Sequence, residues 1–247
     1  MNSAREPVES LQHVSRRRLL QHATITAALG SLGVHWAPSA RSAEPASPAV
    51  RKGTGINVRD FGALGDGKSD DTGAFRAALK AAGDEGGDLV FVPRGNYVIT
   101  EPMVVPDHVT LEGVFRAPTA RTQNRGTTLL ALPGAGNADG APFITLRQNA
   151  AMRGLTVFYP EQKQTNPPIP YPWTVRGIGD NCSLVDVLMV NPYQAVDFGT
   201  QPAGRHLIRG LYAQALYRGI FIDQCYDVGR VEDVHLWPFW GGWEGAL

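Results

Sequence analysis

Cysteine is scarce, with two residues in a chain of 247. That excludes a small fold held together by disulfide staples. Charge is scarce too: charged residues make up 19%, and 23 acids cancel 23 bases. Such a composition excludes a disordered polyelectrolyte and a long coiled coil. With no net charge and no basic run beyond the first residues, it also argues against a nucleic-acid binder. His and Cys show no metal-ligand spacing. What the chain does have is glycine, 28 residues, and proline, 18. Short aliphatic runs broken by Gly, Pro, Asn and Asp point to a turn-rich β protein.

The zero net charge hides an asymmetry. Residues 1–43 hold Arg5, Arg16, Arg17, Arg18 and Arg41 against Glu6 and Glu9, leaving the remainder acidic by three charges. The basic run Arg16-Arg17-Arg18-Leu19-Leu20 precedes a weakly apolar stretch, about Ala23 to Trp36, and then a small-residue, Pro-rich tail. That order resembles a twin-arginine export signal, with Arg16 and Arg17 as the pair that meets the export machinery. The stretch is too polar and too short for a membrane anchor, which needs ~20 apolar residues. The expected organisation is a signal over 1–43, a linker over 44–54 and a folded domain over 55–247, periplasmic or extracellular. Cys182 and Cys225 read most simply as buried thiols.

The domain opens on a deceptive motif. Ile56 to Phe61 reads as a strand. Gly62-Ala63-Leu64-Gly65-Asp66-Gly67-Lys68-Ser69 then fits the Walker A pattern letter for letter, and a helix capped by Ser69 or Asp70 follows, ending at Gly83. Phosphate binding is nevertheless rejected. A phosphate loop needs bare amides at a helix start. Here Asp66, Asp70 and Asp71 crowd the loop, where they take those amides and repel a nucleotide.

The same residues carry a resemblance. Asn57-Val58-Arg59-Asp60-Phe61-Gly62-Ala63-Leu64-Gly65-Asp66-Gly67-Lys68-Ser69-Asp70-Asp71-Thr72, together with Gly86-Gly87-Asp88-Leu89-Val90-Phe91-Val92-Pro93-Arg94-Gly95-Asn96-Tyr97, resembles the opening of the pectate-lyase-like, rhamnogalacturonase/epimerase-type family. The resemblance implies an all-β fold: a right-handed, single-stranded parallel β-helix whose first coil carries a capping α-helix.

Internal repeats point the same way. Met152-Arg153-Gly154-Leu155, Leu184-Val185-Asp186-Val187, Ile208-Arg209-Gly210-Leu211 and Val231-Glu232-Asp233-Val234 share one template, at intervals of 32, 24 and 23 residues. Gly or Asp at the third position suits a left-handed bend between two short strands. Beyond each bend Leu155 and Val157, Val187 and Met189, Leu211 and Ala213, and Val234 and Leu236 alternate inward; Thr156, Leu188, Tyr212 and His235 alternate outward. Ala195-Val196-Asp197-Phe198 aligns with Gly219-Ile220-Phe221-Ile222, and Arg176-Gly177-Ile178-Gly179 is the candidate rung before. The Pro-rich stretch Pro160 to Pro172 explains the long first interval. A further coil is expected to begin near Trp243, which raises the reading that the chain is part of a longer product.

The resemblance implies action on an acidic polysaccharide by a lyase, glycoside hydrolase or epimerase. The related enzymes' motifs are missing, however: there is no Asn-Thr-Asp, Gly-His-Gly or Asp-Pro-His-Glu. Arg116 to Arg121 matches a short lyase pattern but lies too early in the chain. The candidate catalytic residues are Asp197, placed outward between Val196 and Phe198, with Asp223 and Arg205 near the coil turns. Candidate sugar-stacking residues are Trp237, Trp240, Trp243, Trp173 and Tyr171. No cofactor is expected, except calcium if the chain is a lyase. The alternative is a non-catalytic glycan-binding or tailspike-like structural β-helix.

Overall fold

The computed structural model describes residues 55–114, 125–163 and 165–237. The expected signal and linker, Arg16, Arg17, Trp240 and Trp243 lie outside the described residues.

The chain opens with β1 (Ile56–Asn57), a 3-10 turn (Val58–Phe61), β2 (Asp66–Asp70) and α1 (Thr72–Asp84). Next come β3 (Leu89–Val92), β4 (Gly95–Ile99), β5 (Met103–Val105), β6 (Thr110–Gly113), β7 (Thr127–Ala131) and β8 (Ile144–Leu146). They are followed by β9 (Ala151–Arg153), β10 (Thr156–Phe158), β11 (Trp173–Gly177), β12 (Ser183–Val190) and β13 (Gln194–Phe198). β14 (Leu207–Ala213), β15 (Arg218–Ile222), β16 (Arg230–Glu232) and β17 (His235–Leu236) complete the order.

Every strand pairing is parallel and joins successive coils. One row runs β1-β3-β6-β9 into the first half of β12, then β14 and β16. A second runs β2-β4-β7-β10 into the second half of β12, then β14 and β17. A third is a separate five-stranded sheet, β5-β8-β11-β13-β15. β12 and β14 run through the bend, which is why the first two rows join into one sheet. This is a parallel β-helix.

The repeats stack in register. Met152, Leu184, Ile208 and Val231 occupy one ladder, which extends back through Leu111 and Val90 to Ile56. The irregular spacing of the early coils hides those rungs in the sequence. At the bend Gly154, Asp186, Gly210 and Asp233 have φ of 66°, 54°, 65° and 51°, the left-handed geometry that Gly and Asp tolerate best. Leu155, Val157, Val187, Met189, Leu211 and Ala213 fill the interior. Outward Leu188 is also buried, in a second apolar cluster with Leu130, Phe158 and Val190.

α1 packs on β1, β3 and β5 through Phe75, Ala78, Leu79 and Ala82. That one-sided helical spacing makes it a lid on the first coil. The Walker-like segment folds differently from its pattern: only Ile56 and Asn57 of the expected first strand are extended, Lys68 and Ser69 lie in β2, and the helix begins at Thr72. Asp71 accepts from the amides of Leu64 (2.6 Å) and Gly65 (3.2 Å), and Asp66 from those of Lys68 and Ser69 (both 2.8 Å). The carboxylates therefore occupy the amides that a phosphate would need.

Candidate functional site

The outward row of the five-stranded sheet carries Val104, Thr145, Arg176, Asp197 and Phe221, one per coil. Arg176 pairs with Asp197 itself, two residues further along than the sequence alignment of that rung implied. A shift of two preserves the face and changes the partner.

Arg176 Nε donates to Asp197 Oδ2 at 2.6 Å. Asp197 Oδ1 accepts from the amides of Gly199 (3.1 Å) and Thr200 (2.8 Å). Asp197 is 0% exposed, so it is not the open carboxylate that strand alternation predicts. Alternation fixes which face a side chain leaves from. It does not say what the flanking coils lay over it: Trp173, on the coil before Asp197, and Phe221, on the coil after, stack 6.3 Å apart at 23°. Burial alone raises the Asp197 pKa; the Thr200 amide, Arg176 and the Gly199 amide more than offset this, and the carboxyl lies below its ordinary value. An ionised carboxylate already accepting three donors is suited to holding Arg176 in place, and is a poor proton donor. The Arg176 side chain keeps 21% exposure. Its Nε is committed inward, and its two terminal nitrogens have no partner among the described residues. They form a fixed donor pair suited to a carboxylate. Sequence reading missed Arg176 as a functional residue; the available signal was its rung, directly opposite Asp197.

The other two catalytic candidates lie elsewhere. Arg205, in the left-handed region at φ 54°, is exposed and pairs with Asp227 at 2.7 Å. Exposed Asp223 accepts from the Gln224 amide at 2.7 Å. No hydrogen bond or ion pair among the described residues joins Asp197, Asp223 and Arg205. The aromatic candidates also need correction. Tyr171 is fully buried in the core, edge-on to Tyr159 at 4.9 Å, and its hydroxyl pKa is pushed up to about 12, chiefly by burial. Trp173 is 5% exposed. Trp237 lies 4.8 Å from His235 and packs on the Leu130, Phe158, Leu188 and Val190 cluster, on a different sheet from Arg176.

A second concavity, a groove of about 610 Å³, follows the bend and is lined by Phe91, Glu112, Arg153, Val185, Asp186 and Arg209 among others. Arg153 is tied to Glu112 at 2.5 Å. Two acids balance two bases there, so the groove lining carries no net charge. No group of three His, Cys, Asp or Glu side chains among the described residues is placed to hold a metal ion. Both Asp197 oxygens are taken, so the calcium that the resemblance allowed has no fitting ligand set there. Cys182 and Cys225 are free thiols; Cys182 is buried and Cys225 half-buried. No helix among the described residues is long and apolar enough to cross a membrane.

Parts of the chain are similar to known proteins. Mannuronan C5-epimerase AlgE4 of Azotobacter vinelandii is 45% identical over 70 residues, which are 26% of this chain and 13% of that protein. Alginate lyase 7 of the same organism is 54% identical over 44 residues, 18% of this chain and 5% of its own length. Matches to these curated relatives thus span between 2% and 13% of their lengths. Among solved structures, the AlgE4 A-module superposes with a TM-score of 0.43 at 22% identity, covering 72% of this chain and 52% of that one. Residues 55–174 match the family described as rhamnogalacturonase A/epimerase, pectate lyase-like.

Proposed function

We propose that this protein is an exported, carbohydrate-active β-helix that binds and acts on an acidic polysaccharide, with Arg176 as the anchor for a uronate carboxylate. The observation that carries this is the Arg176–Asp197 pair. A guanidinium fixed at Nε by a buried carboxylate presents its terminal nitrogens from the outward face of a rigid sheet, and a preoriented planar fork recognises a carboxylate in two-point fashion. Phe221, 40% exposed and opposite Asp197 on the following coil, offers a ring face for a sugar. The names of the relatives, mannuronan epimerases and an alginate lyase, make a uronan the first polymer to try. The sequence of residues 1–43 supports export.

The test is affinity electrophoresis of the purified protein in gels containing alginate, pectin or a neutral glucan, with assays for reducing ends, unsaturated products and epimerised residues. We expect retardation by a uronan and not by the glucan, and its loss in Arg176→Ala. Retardation that Arg176→Ala leaves unchanged overturns the assignment of the anchor. Absence of both retardation and turnover overturns the function. One observation favours a second reading, a non-catalytic glycan-binding module: Asp197, the acid on this face, is sealed in hydrogen bonds. Retention without product supports that reading.

A further inference from the structure

The groove along the bend is built by register. Phe91, Glu112, Arg153, Val185 and Arg209 stand directly opposite one another on five successive coils. Their inward neighbours Leu111, Met152 and Ile208 are fully buried, so strand alternation turns this row outward. At about 4.8 Å per coil the row spans about 19 Å along the solenoid axis. Gly113 and Gly154 leave part of the wall without side chains, and an added Cβ at Gly113 would lie 2.4 Å from the Gly154 carbonyl oxygen. Every residue lining the groove is described, and Glu232 follows Arg209 on the next coil. The neutral lining is uneven. Glu112 and Arg153 close on each other at 2.5 Å, and Asp186 sits at the bend. Arg209 is exposed and makes no hydrogen bond or ion pair among the described residues.

We propose that this groove is a secondary binding track for a linear acidic glycan lying along the solenoid axis, with Phe91 stacking on a sugar ring and Arg209 holding a uronate carboxylate. The ligand class rests on the uronan reading. The site does not, since Arg176 belongs to the five-stranded sheet and the groove to the twelve-stranded one. Three features select a sugar chain. A volume of about 610 Å³ is that of a small-ligand cleft. The coil interval is close to the length of one pyranose in an extended chain, so a chain along the axis meets one side chain per sugar. Planar guanidinium and carboxylate groups beside an aromatic ring pair with vicinal hydroxyls and stack on a sugar face. A lipid would need a continuous apolar lining, and a nucleic acid a basic one. The track is weaker than the Arg176 anchor. No carboxylate orients Arg209, so binding has to order its side chain. Its contribution is avidity: a polymer held at Arg176, and long enough to reach the second sheet, meets the groove at high effective concentration.

The test uses the full chain, long polymannuronate and a short oligomannuronate no longer than the groove. Wild type is expected to bind the polymer at least about tenfold more tightly than the oligomer. Arg209→Ala is expected to remove that length preference and to leave oligomer affinity, which reports on Arg176, unchanged. In an Arg176→Ala background the Arg209 Nε–H resonance is expected to shift saturably as oligomer is added at millimolar concentration. Circular dichroism of each variant confirms the fold. If Arg209→Ala keeps the length preference and its resonance does not move, while binding through Arg176 persists, the track is overturned and the uronan reading stands. If wild type binds neither probe and the Arg209 resonance does not move, both are overturned. A saturable shift at Arg209 without binding at Arg176 supports the track and overturns the anchor.

Discussion

Arg176 and Asp197 face each other across one rung of the five-stranded sheet, with Nε 2.6 Å from Oδ2. The carboxylate is fully buried and the guanidinium is partly open, so the pair is a support with one working end. Asp197→Asn removes the charge that anchors Arg176 and weakens two backbone bonds. Allowing for the exposure of Arg176, the expected cost is about 2–3 kcal/mol in urea unfolding at neutral pH.

The same pair sets a pH dependence. The folded Asp197 pKa lies below the ordinary 3.8, so the pair stabilises the protein above that value and the contribution is lost as pH falls through the folded one. Asp71 tilts the other way. Burial raises its pKa, with the Leu64 and Gly65 amides opposing. Its protonated form is thus favoured on folding, and its contribution improves as pH falls through the raised value. Stability measured from neutral to acid pH is expected to fall less steeply in Asp197→Asn than in wild type, and more steeply in Asp71→Asn. Parallel curves for all three proteins would contradict both assignments.

The Walker-like loop is expected to be structural. Asp71→Ala leaves two loop amides without acceptors and costs about 1–3 kcal/mol. Calorimetric titration of the wild type with magnesium ATP is expected to show no saturable heat; a binding isotherm would reverse the reading.

Left-handed bends are expected to resist side chains. At Gly210, φ is 65° and an added Cβ would lie 2.5 Å from Asp186 Oδ1. Gly210→Ala is expected to destabilise by about 2 kcal/mol, the left-handed penalty plus the displacement of Asp186. Thermal unfolding of the variant beside the wild type measures it.

Tyr171 has a buried hydroxyl with no hydrogen-bond partner among the described residues. Tyr171→Phe relieves that desolvation and is expected to be neutral or stabilising by up to about 1 kcal/mol, with polysaccharide retention unchanged. Loss of retention would return Tyr171 to the binding face.

The scaffold was legible where the chain repeats itself. Met152, Leu184, Ile208 and Val231 recur with a bend residue two places later, and that recurrence encodes a stacked coil directly. The Walker-like carboxylates were legible for a similar reason: three acids beside bare amides have one cheap arrangement. The site was less so. Whether Asp197 is open or sealed depends on Arg176 in the coil before, and on Trp173 and Phe221 stacked beside it. Those contacts are separated by tens of residues and leave no local pattern. The surroundings of Trp237 were hidden for a similar reason, because the outward face of its sheet holds an apolar cluster that alternation alone would call solvent.

The Pro-rich stretch between Phe158 and Trp173 leaves the coil and rejoins it, yet β10 and β11 keep register with their neighbours on both sides. Rung spacing is therefore set by interstrand pairing and not by the number of residues between rungs. At that corner, loop length is free to drift over evolutionary time while the scaffold stays fixed. Grafted peptides inserted there would be carried as cargo by an unaltered frame.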